Sequence, residues 1–273
     1  MKARILDKKD NYLRFFISGF DVALANSLRR TMMTEVPVMA IDDVIIIENS
    51  SPIKDEVLAH RLGFLPLKTD NETYVLPDQC TCNSELGCSN CSVTLTLDSD
   101  ARDGSRSVYS KELKSSDPNI HPVHQNIPII KLAQGQNVRL EAYAKLGLGI
   151  NHAKWQPTSS CTYKYASNLR INRKKCTKCT KCIDACPKHV LQMSGDTIRV
   201  INDDHCNLCR ECENACPEDA IRVEWRKNAY IFNIESTGVL APETIFLTAI
   251  NILKKKAIEF NQQIEHIMRG DKK

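Results

Sequence analysis

The chain has 273 residues, of which 42% are hydrophobic and 26% are charged, and its formal net charge is +4. This is the composition of a globular protein with room for roughly two domains, and the charge is too small to indicate nucleic-acid binding by itself. No apolar run approaches the roughly 20 residues of a membrane-spanning helix, and the first residues lack the apolar segment of a signal peptide, so we expect a cytoplasmic protein without membrane contact.

The N-terminal segment predicts a strand followed by a helix. Residues 11–18 (NYLRFFIS) have the composition of a strand, and Asp21 is suited to cap the helix that follows. Pro37 ends this helix, because the residue before a proline is disfavoured in helical geometry. Three apolar residues recur along the helix in steps of four and form one stripe: Leu24, Leu28 and Met32.

The middle of the chain predicts a mixed α+β region. Residues 44–47 (VIII) are expected to form a short buried strand. A helix is expected after Ser51, with Pro52 in its first turn. The polar stretch 98–119 is expected to be a loop. Four further apolar runs are expected to be strands: 127–132, 138–146, 159–165 and 229–235.

The last segment carries the clearest helical pattern. Pro242 and Glu243 suit its first turn, and Gly270 suits its C-terminal cap. Apolar residues alternate in steps of four and three and form a heptad seam: Phe246, Ile250, Leu253, Ala257, Phe260, Ile264 and Ile267. Such a seam needs an apolar partner. Two interpretations stay open, namely packing within its own domain and contact with another subunit.

The thirteen cysteines are strongly clustered. Four lie between Cys80 and Cys91, eight lie between Cys176 and Cys216, and Cys161 stands alone. Thiols stay reduced in the cytoplasm and disulfides are rare there, so clustering favours metal binding over disulfide formation.

The larger cluster contains the same motif twice. Cys176–Pro187 and Cys206–Pro217 each have the spacing C-x2-C-x2-C-x3-C-P of bacterial ferredoxins, which indicates an internal duplication. The first three thiolates can hold three corners of one [4Fe–4S] cluster, while the proline directs the fourth toward the other cluster. We assign Cys176, Cys179, Cys182 and Cys216 to the first cluster. We assign Cys206, Cys209, Cys212 and Cys186 to the second cluster. The alternative is a pair of zinc sites.

Basic residues surround the first copy: Arg170, Arg173, Lys174, Lys175, Lys178 and Lys181. They would offset the negative charge of a thiolate-bound cluster. The alternative that they bind phosphate groups stays open at this point.

The smaller cluster lies in a polar loop and predicts one tetrahedral zinc site formed by Cys80, Cys82, Cys88 and Cys91. The alternative is a set of reduced free thiols or adventitious disulfides.

Three strings remain to be interpreted: residues 24–30 (LANSLRR), 55–67 (DEVLAHRLGFLPL) and 152–157 (HAKWQP). Together they resemble one family, the RNA polymerase subunits called alpha in bacteria, the third subunit in eukaryotes and D in archaea. The C-terminal heptad helix is similar to the second dimerisation helix of that family. The small cysteine loop falls where eukaryotic relatives bind zinc, and the eight-cysteine insertion matches archaeal members that keep two clusters.

This resemblance implies an α+β fold with a discontinuous dimerisation domain made of strands and the two terminal helices. That domain comprises residues 1–40 and 226–273, an α+β domain is inserted at 41–168, and a ferredoxin-like module is inserted at 169–225. It also implies a non-catalytic assembly subunit of RNA polymerase with little or no direct DNA contact. Its partners would be the small L subunit, which covers the two apolar stripes, then subunits N and P and the two large catalytic subunits.

Two functions compete on the sequence. The chain contains no nucleophile–base pair, no phosphate-binding glycine loop and no Asp cluster for catalytic magnesium, so we expect no catalytic site in it. The competing hypothesis is a ferredoxin-type electron-transfer subunit of an oxidoreductase, because ferredoxin motifs most often serve that purpose.

Several polar residues have two possible interpretations, namely contact with a large subunit or a solvated face: Asn26, Arg29, Arg30, His60 and Arg61. His152 and Trp155 are expected to pack and hydrogen-bond within the α+β domain.

Overall fold

The computed structural model describes residues 1–268. In this part of the chain the strands are β1 Lys2–Lys9, β2 Tyr12–Ser18, β3 Val38–Asn49, β4 Ser92–Asp100, β5 Arg106–Tyr109, β6 Lys114–Ser115, β7 Pro128–Leu132, β8 Asn137–Gly147, β9 Thr158–Ile171, β10 Leu191–Ser194, β11 Thr197–Val200 and β12 Ile221–Ser236. The helices are α1 Val22–Thr34, α2 Asp55–Gly63, α3 Lys181–Asp184, α4 Glu211–Asn214 and α5 Pro242–Met268. The fold is therefore mixed α+β, with few helices.

The chain forms two compact units that are interleaved along the sequence. The first contains residues 1–9, 13–27 and 162–234, and the second contains residues 10–12, 28–161 and 235–268 of the described chain. These limits differ from the four predicted domain ranges, because the long strands β9 and β12 run through a unit boundary. The four ranges stay a prediction.

The first unit is built on the sheet β1-β2-β12-β9. Alternate residues of β2 are buried, as expected for a strand with one covered face. Phe15 of β2 stacks on Phe232 of β12 with ring centroids 5.3 Å apart. The N-terminal strands are thus hydrogen-bonded beside a strand from the C-terminal part of the chain. This unit also holds the duplicated cysteine block, with the antiparallel pair β10-β11.

The second unit is built on the sheet β3-β8-β4-β6, with β5 and β7 paired separately. Helix α2 buries Leu58 and Leu62 in its apolar core. Helix α5 begins in the same unit and buries Pro242, Ile245 and Ala249. None of the described helices is long and apolar enough to cross a membrane.

Several predicted elements are confirmed. The strand at 11–18 is β2, and the helix capped by Asp21 is α1, where Leu24 N–H donates to Asp21 Oδ1 at 2.9 Å. The four later strands are found as β7, β8, β9 and β12, although β9 and β12 are longer than predicted.

Other predicted elements are wrong. Residues 44–47 belong to the longer strand β3, where Ile45 and Ile47 are exposed, so they are not a short buried strand. Pro52 precedes the helix, which begins at Asp55. The stretch 98–119 contains the end of β4 and all of β5 and β6. These short polar strands are stabilised by pairing with distant strands, which local composition does not reveal. The predicted cap Gly270 lies outside the described residues.

Candidate metal centres and partner surface

The two cysteine motifs follow the same backbone path twice. Non-glycine residues with positive φ occur in pairs at equivalent positions of the two copies: Lys178 and Leu208 at 63° and 61°, Thr180 and Arg210 at 61° and 64°, and His189 and Asp219 at 48° each. A left-handed backbone conformation is unfavourable for residues other than glycine. Its occurrence at the same positions of both copies therefore indicates that the loop needs this shape. Such a loop turns backbone N–H groups toward its concave side, which suits negatively charged sulfur.

Two groups of four thiols are brought together in this block. One cavity is lined by Cys176, Cys179, Cys182 and Cys216. Burial raises the pKa of the Cys182 thiol, and the other three thiols of the cavity raise it further. Burial likewise raises the pKa of Cys212 to about 11, with smaller contributions from Cys186, Cys206 and Cys209. Each group therefore takes three thiols from one copy and one from the other, which are the same two groups that the sequence analysis assigned.

The loop between α2 and β4 contains a tighter group. The ligand atoms of Cys80, Cys82, Cys88 and Cys91 all lie within 4.8 Å of one another. The sulfur–sulfur distances are 3.7 Å for Cys80 and Cys88, 3.8 Å for Cys82 and Cys91, and 3.9 Å for Cys88 and Cys91. Tetrahedral zinc with Zn–S bonds of about 2.3 Å places its sulfur ligands about 3.8 Å apart. These four thiols therefore fit one zinc ion.

The distances between sulfur atoms differ between the duplicated block and the smaller loop. Across the described residues, no three thiols of the duplicated block come within 4.8 Å of one another, whereas the four thiols of the smaller loop do. The thiols of the smaller loop are thus the more closely gathered of the two sets.

Two residues outside the cysteine set shape the smaller loop. Gly87 has φ +85°, and a Cβ atom there would lie 3.1 Å from the Cys91 sulfur, so the position requires glycine. Lys145 of β8 donates from Nζ to the Glu85 carbonyl oxygen and to Asp43 Oδ2, both at 2.6 Å. The Lys145 side chain is only 9% exposed, and its two hydrogen bonds hold the loop against the sheet. Sequence reasoning missed Lys145, because one lysine in an apolar strand gives no signal of a distant carbonyl partner.

The thiols of this loop should differ sharply in reactivity in the metal-free protein. The Ser84 backbone N–H, followed by the neighbouring thiols, lowers the pKa of exposed Cys82 to about 7. Burial raises the pKa of Cys91 to about 12. Because the thiolate is the nucleophile, we expect iodoacetamide at about pH 8 to label Cys82 first and Cys91 last. Labelling of Cys82 should accelerate as the pH rises through about 7 and then level off. Peptide mass mapping of quenched samples measures this order, and faster labelling of Cys91 would contradict it.

Helix α5 presents most of the predicted heptad seam to the surface. Its 27 residues span about 40 Å, and its buried residues are Pro242, Ile245 and Ala249. Phe246 and Leu253 are half-buried, whereas Ile250, Phe260, Ile264 and Ile267 are exposed, Phe260 to 63%. Exposed apolar side chains that recur along one helix are typical of a surface that another protein covers.

The stripe of α1 needs a correction. Leu24 is 39% exposed, but Leu28 and Met32 are buried within the chain, at 6% and 0% exposure. The prediction that all three contact a partner is wrong for Leu28 and Met32, which instead belong to the core of this protein. Periodicity identifies an apolar face of a helix, but it does not identify which body covers that face.

His152 and Trp155 pack within the second unit, as expected. The His152 ring lies 5.6 Å from Phe64 and 6.4 Å from Trp155, measured between centroids. Trp155 Nε1 donates to the Lys145 carbonyl oxygen at 3.2 Å. His60 is exposed and packs against Phe64 at 5.0 Å. These contacts are structural, and they place no reactive pair of groups together.

Comparisons with known proteins agree on one family. The family model described as "RNA polymerase Rpb3/Rpb11 dimerisation domain" matches residues 14–257. Relatives named "DNA-directed RNA polymerase subunit Rpo3" include that of Archaeoglobus fulgidus, 44% identical over 96% of this chain and 97% of its own length. The relative from Methanosphaera stadtmanae is 42% identical over 94% of this chain and 96% of its own length. The relative from Thermococcus kodakarensis is 35% identical over 97% of this chain and 98% of its own length.

The family model extends from β2 to residue 257 of α5, and the three relatives align with 94–97% of this chain. The resemblance that the three sequence strings predicted is therefore confirmed over nearly the whole chain. The chain belongs to the RNA polymerase Rpb3/Rpb11 dimerisation domain family.

Proposed function

We propose that this chain is a non-catalytic subunit of DNA-directed RNA polymerase that serves as a platform for assembly. The observation that carries the proposal is the near-full-length match to Rpo3 proteins, on a chain whose last helix exposes an apolar seam. The family domain extends from residue 14 to residue 257, on both sides of the cysteine block. An electron-transfer protein would not require that domain, so the competing hypothesis is not favoured.

The proposed first partner is the small L subunit, which would form a heterodimer with this chain in the cytoplasm. It would cover Leu24 and the seam residues Phe246, Ile250, Leu253, Phe260 and Ile264. The sheet β1-β2-β12-β9, which joins the N-terminal strands to β12, supports a discontinuous dimerisation domain formed by both ends of the chain. The resulting pair would recruit subunits N and P and the two large catalytic subunits.

The proposed cofactors are two [4Fe–4S] clusters and one zinc ion. Cys176, Cys179, Cys182 and Cys216 would hold the first cluster, and Cys206, Cys209, Cys212 and Cys186 would hold the second. The Cys80–Cys91 loop would hold the zinc ion. Each group, when bound, supplies folding free energy to a ligand-rich segment with a small core, so the proposed role of the clusters is structural or regulatory. The chain itself orients the sulfurs: for example, Leu208 N–H donates to Cys206 Sγ at 3.4 Å and Ala220 N–H donates to Cys216 Sγ at 3.2 Å.

Charged substitutions in the seam test the assembly role. We expect Leu253→Glu combined with Phe260→Glu to abolish copurification of the small partner and of the large polymerase subunits, because a partner would have to bury two carboxylates. The matched control is Asn251→Glu combined with Gln262→Glu, which adds the same charges to polar, exposed positions of the same helix. Tagged chains are purified from cells and partners are identified by mass spectrometry. If the seam variant still forms a tight heterodimer, or if wild type recovers an oxidoreductase instead, the proposal fails.

A further inference from the structure

The two copies of the cysteine motif carry opposite charges. Residues 173–189 contain six basic residues and one acidic residue, which gives a net charge of +5. The equivalent residues 203–219 contain six acidic residues and one basic residue, which gives −5. Histidines are counted as neutral. We name these segments the basic lobe and the acidic lobe. Their backbones match, so the difference lies in the side chains alone.

The acidic lobe is held by its own unit. Arg4 of β1 pairs with Asp204 Oδ2 at 2.6 Å, and Arg14 of β2 donates to the Asp204 carbonyl oxygen at 2.6 Å. Arg226 of β12 pairs with Asp203. In addition, Glu213 pairs with Arg222 at 3.1 Å. Three of the six acidic residues, namely Asp203, Asp204 and Glu213, are therefore paired within the lobe's own unit, and two of them anchor the lobe to arginines of the sheet.

The basic lobe has no such explanation. Its six cations are exposed: Arg173, Lys174, Lys175, Lys178, Lys181 and Lys188. Among the described residues, Lys178 pairs with Asp196 at 2.9 Å, and that carboxylate is itself almost fully exposed. The other five form no ion pair with any described residue. Exposed charges of one sign at this density repel one another, which is unfavourable unless an anion is bound.

Neutralising a cluster does not account for the cations. The acidic lobe surrounds the other group of four thiols with the same backbone and a net charge of −5. The two copies can therefore be compared directly: the thiol group of the acidic lobe forms without an excess of cations around it. The basic lobe must serve a different purpose.

The composition of the basic lobe favours duplex nucleic acid over an acidic protein. Residues 173–189, all of them described, contain no exposed large hydrophobic side chain, whereas protein interfaces depend on apolar and aromatic anchors. The same segment contains no Phe, Tyr or Trp on which unpaired bases could stack, as proteins that bind single strands require. Exposed Lys and Arg without other anchors are the groups that bind the phosphates of a duplex.

We propose that the basic lobe is a binding site for the phosphate backbone of double-stranded DNA, without sequence preference. This departs from the expectation, drawn from the family resemblance, of little or no direct DNA contact. The acidic lobe anchors the module, and the basic lobe is left to contact DNA. Five unpaired cations, each neutralising one phosphate, give a slope of log K against log salt concentration of about −4.5.

The test uses the iron-loaded, full-length chain prepared under anaerobic conditions without the large catalytic subunits, so that their own DNA binding does not contribute. Fluorescence anisotropy measures binding to a labelled duplex of about 30 base pairs between about 50 and 200 mM salt. We expect Lys181→Gln with Lys188→Gln to make the slope shallower by about 2 and to weaken binding roughly tenfold or more. The matched control is Glu211→Gln with Glu218→Gln, at the equivalent positions of the second copy, which should leave binding unchanged or make it tighter. Iron content is measured for every variant, to show that the module is intact.

Three results would overturn the proposal. The first is that the lysine variant binds the duplex with the slope and affinity of wild type. The second is that both pairs of substitutions weaken binding equally, because the effect would then come from the fold and not from charge. The third is that polyglutamate of similar charge, or a single strand of the same length, competes better than the duplex, since an acidic protein or unpaired bases would then be the preferred ligand.

Discussion

Cys186→Ser is expected to remove the iron held by Cys206, Cys209 and Cys212 and to leave intact the iron held by its own sequence neighbours. The reason is the crossed grouping of the thiols, in which Cys186 lies with the second set and Cys216 lies with the first. With two clusters of four irons, the content should fall from about eight to about four irons per chain. Iron analysis and electron paramagnetic resonance of anaerobically purified protein measure the loss.

Double substitutions decide which set has lost its iron. Cys186→Ser combined with Cys209→Ser affects one predicted set and should leave about four irons per chain. Cys186→Ser combined with Cys179→Ser affects both sets and should leave almost none. Cys179 and Cys209 occupy equivalent positions of the two copies and are both exposed, so their substitutions disturb the fold to a similar degree. The reverse pattern of iron contents would show that each motif ligates its cluster without exchange. Recovery of zinc in place of iron would favour the two-zinc alternative.

Cys91→Ser is expected to abolish zinc binding in the smaller loop and to destabilise the second unit. Cys91 is the most deeply buried of the four ligands and directly precedes β4, whose residues Val93, Leu95 and Leu97 belong to the core. Structural zinc contributes apparent binding free energies of about 10–16 kcal/mol in small zinc-binding peptides, and part of that stabilises the fold. A loss of roughly 3–5 kcal/mol in a domain of this size would lower the melting temperature by about 10 °C or more.

Cys161→Ser is the control for this experiment. Cys161 is also buried, but it lies in β9 and belongs to no thiol group, so zinc content should stay at about one per chain even if some stability is lost. Zinc analysis separates loss of the ligand from a general effect of burying a hydroxyl group. If anaerobically purified wild type contains no zinc, the loop consists of reduced free thiols or adventitious disulfides, and the zinc proposal is wrong.

Local patterns predicted those elements whose stability comes from local chemistry. The cap of α1 by Asp21, the strand β2 and the long helix α5 all follow from side chains within a few residues of one another. The paired strands between residues 98 and 119 did not follow, because they depend on partners elsewhere in the chain. The positioning lysine Lys145 was missed for the same reason, since the Glu85 carbonyl that it holds is 60 residues away.

The sequence alone predicted the types of metal ligand, their spacing, the duplication and the family. Each of these depends only on which residues occur at fixed distances along the chain. The folded chain was needed to show which apolar residues are left uncovered and which copy of the motif is anchored. Leu28 and Phe260 both occupy apolar stripes, yet one is buried and the other is exposed. The two copies share one backbone, yet only one meets the basic side of a sheet. Burial and ion pairing depend on which distant segments meet, and that information is not present in any local window of the chain.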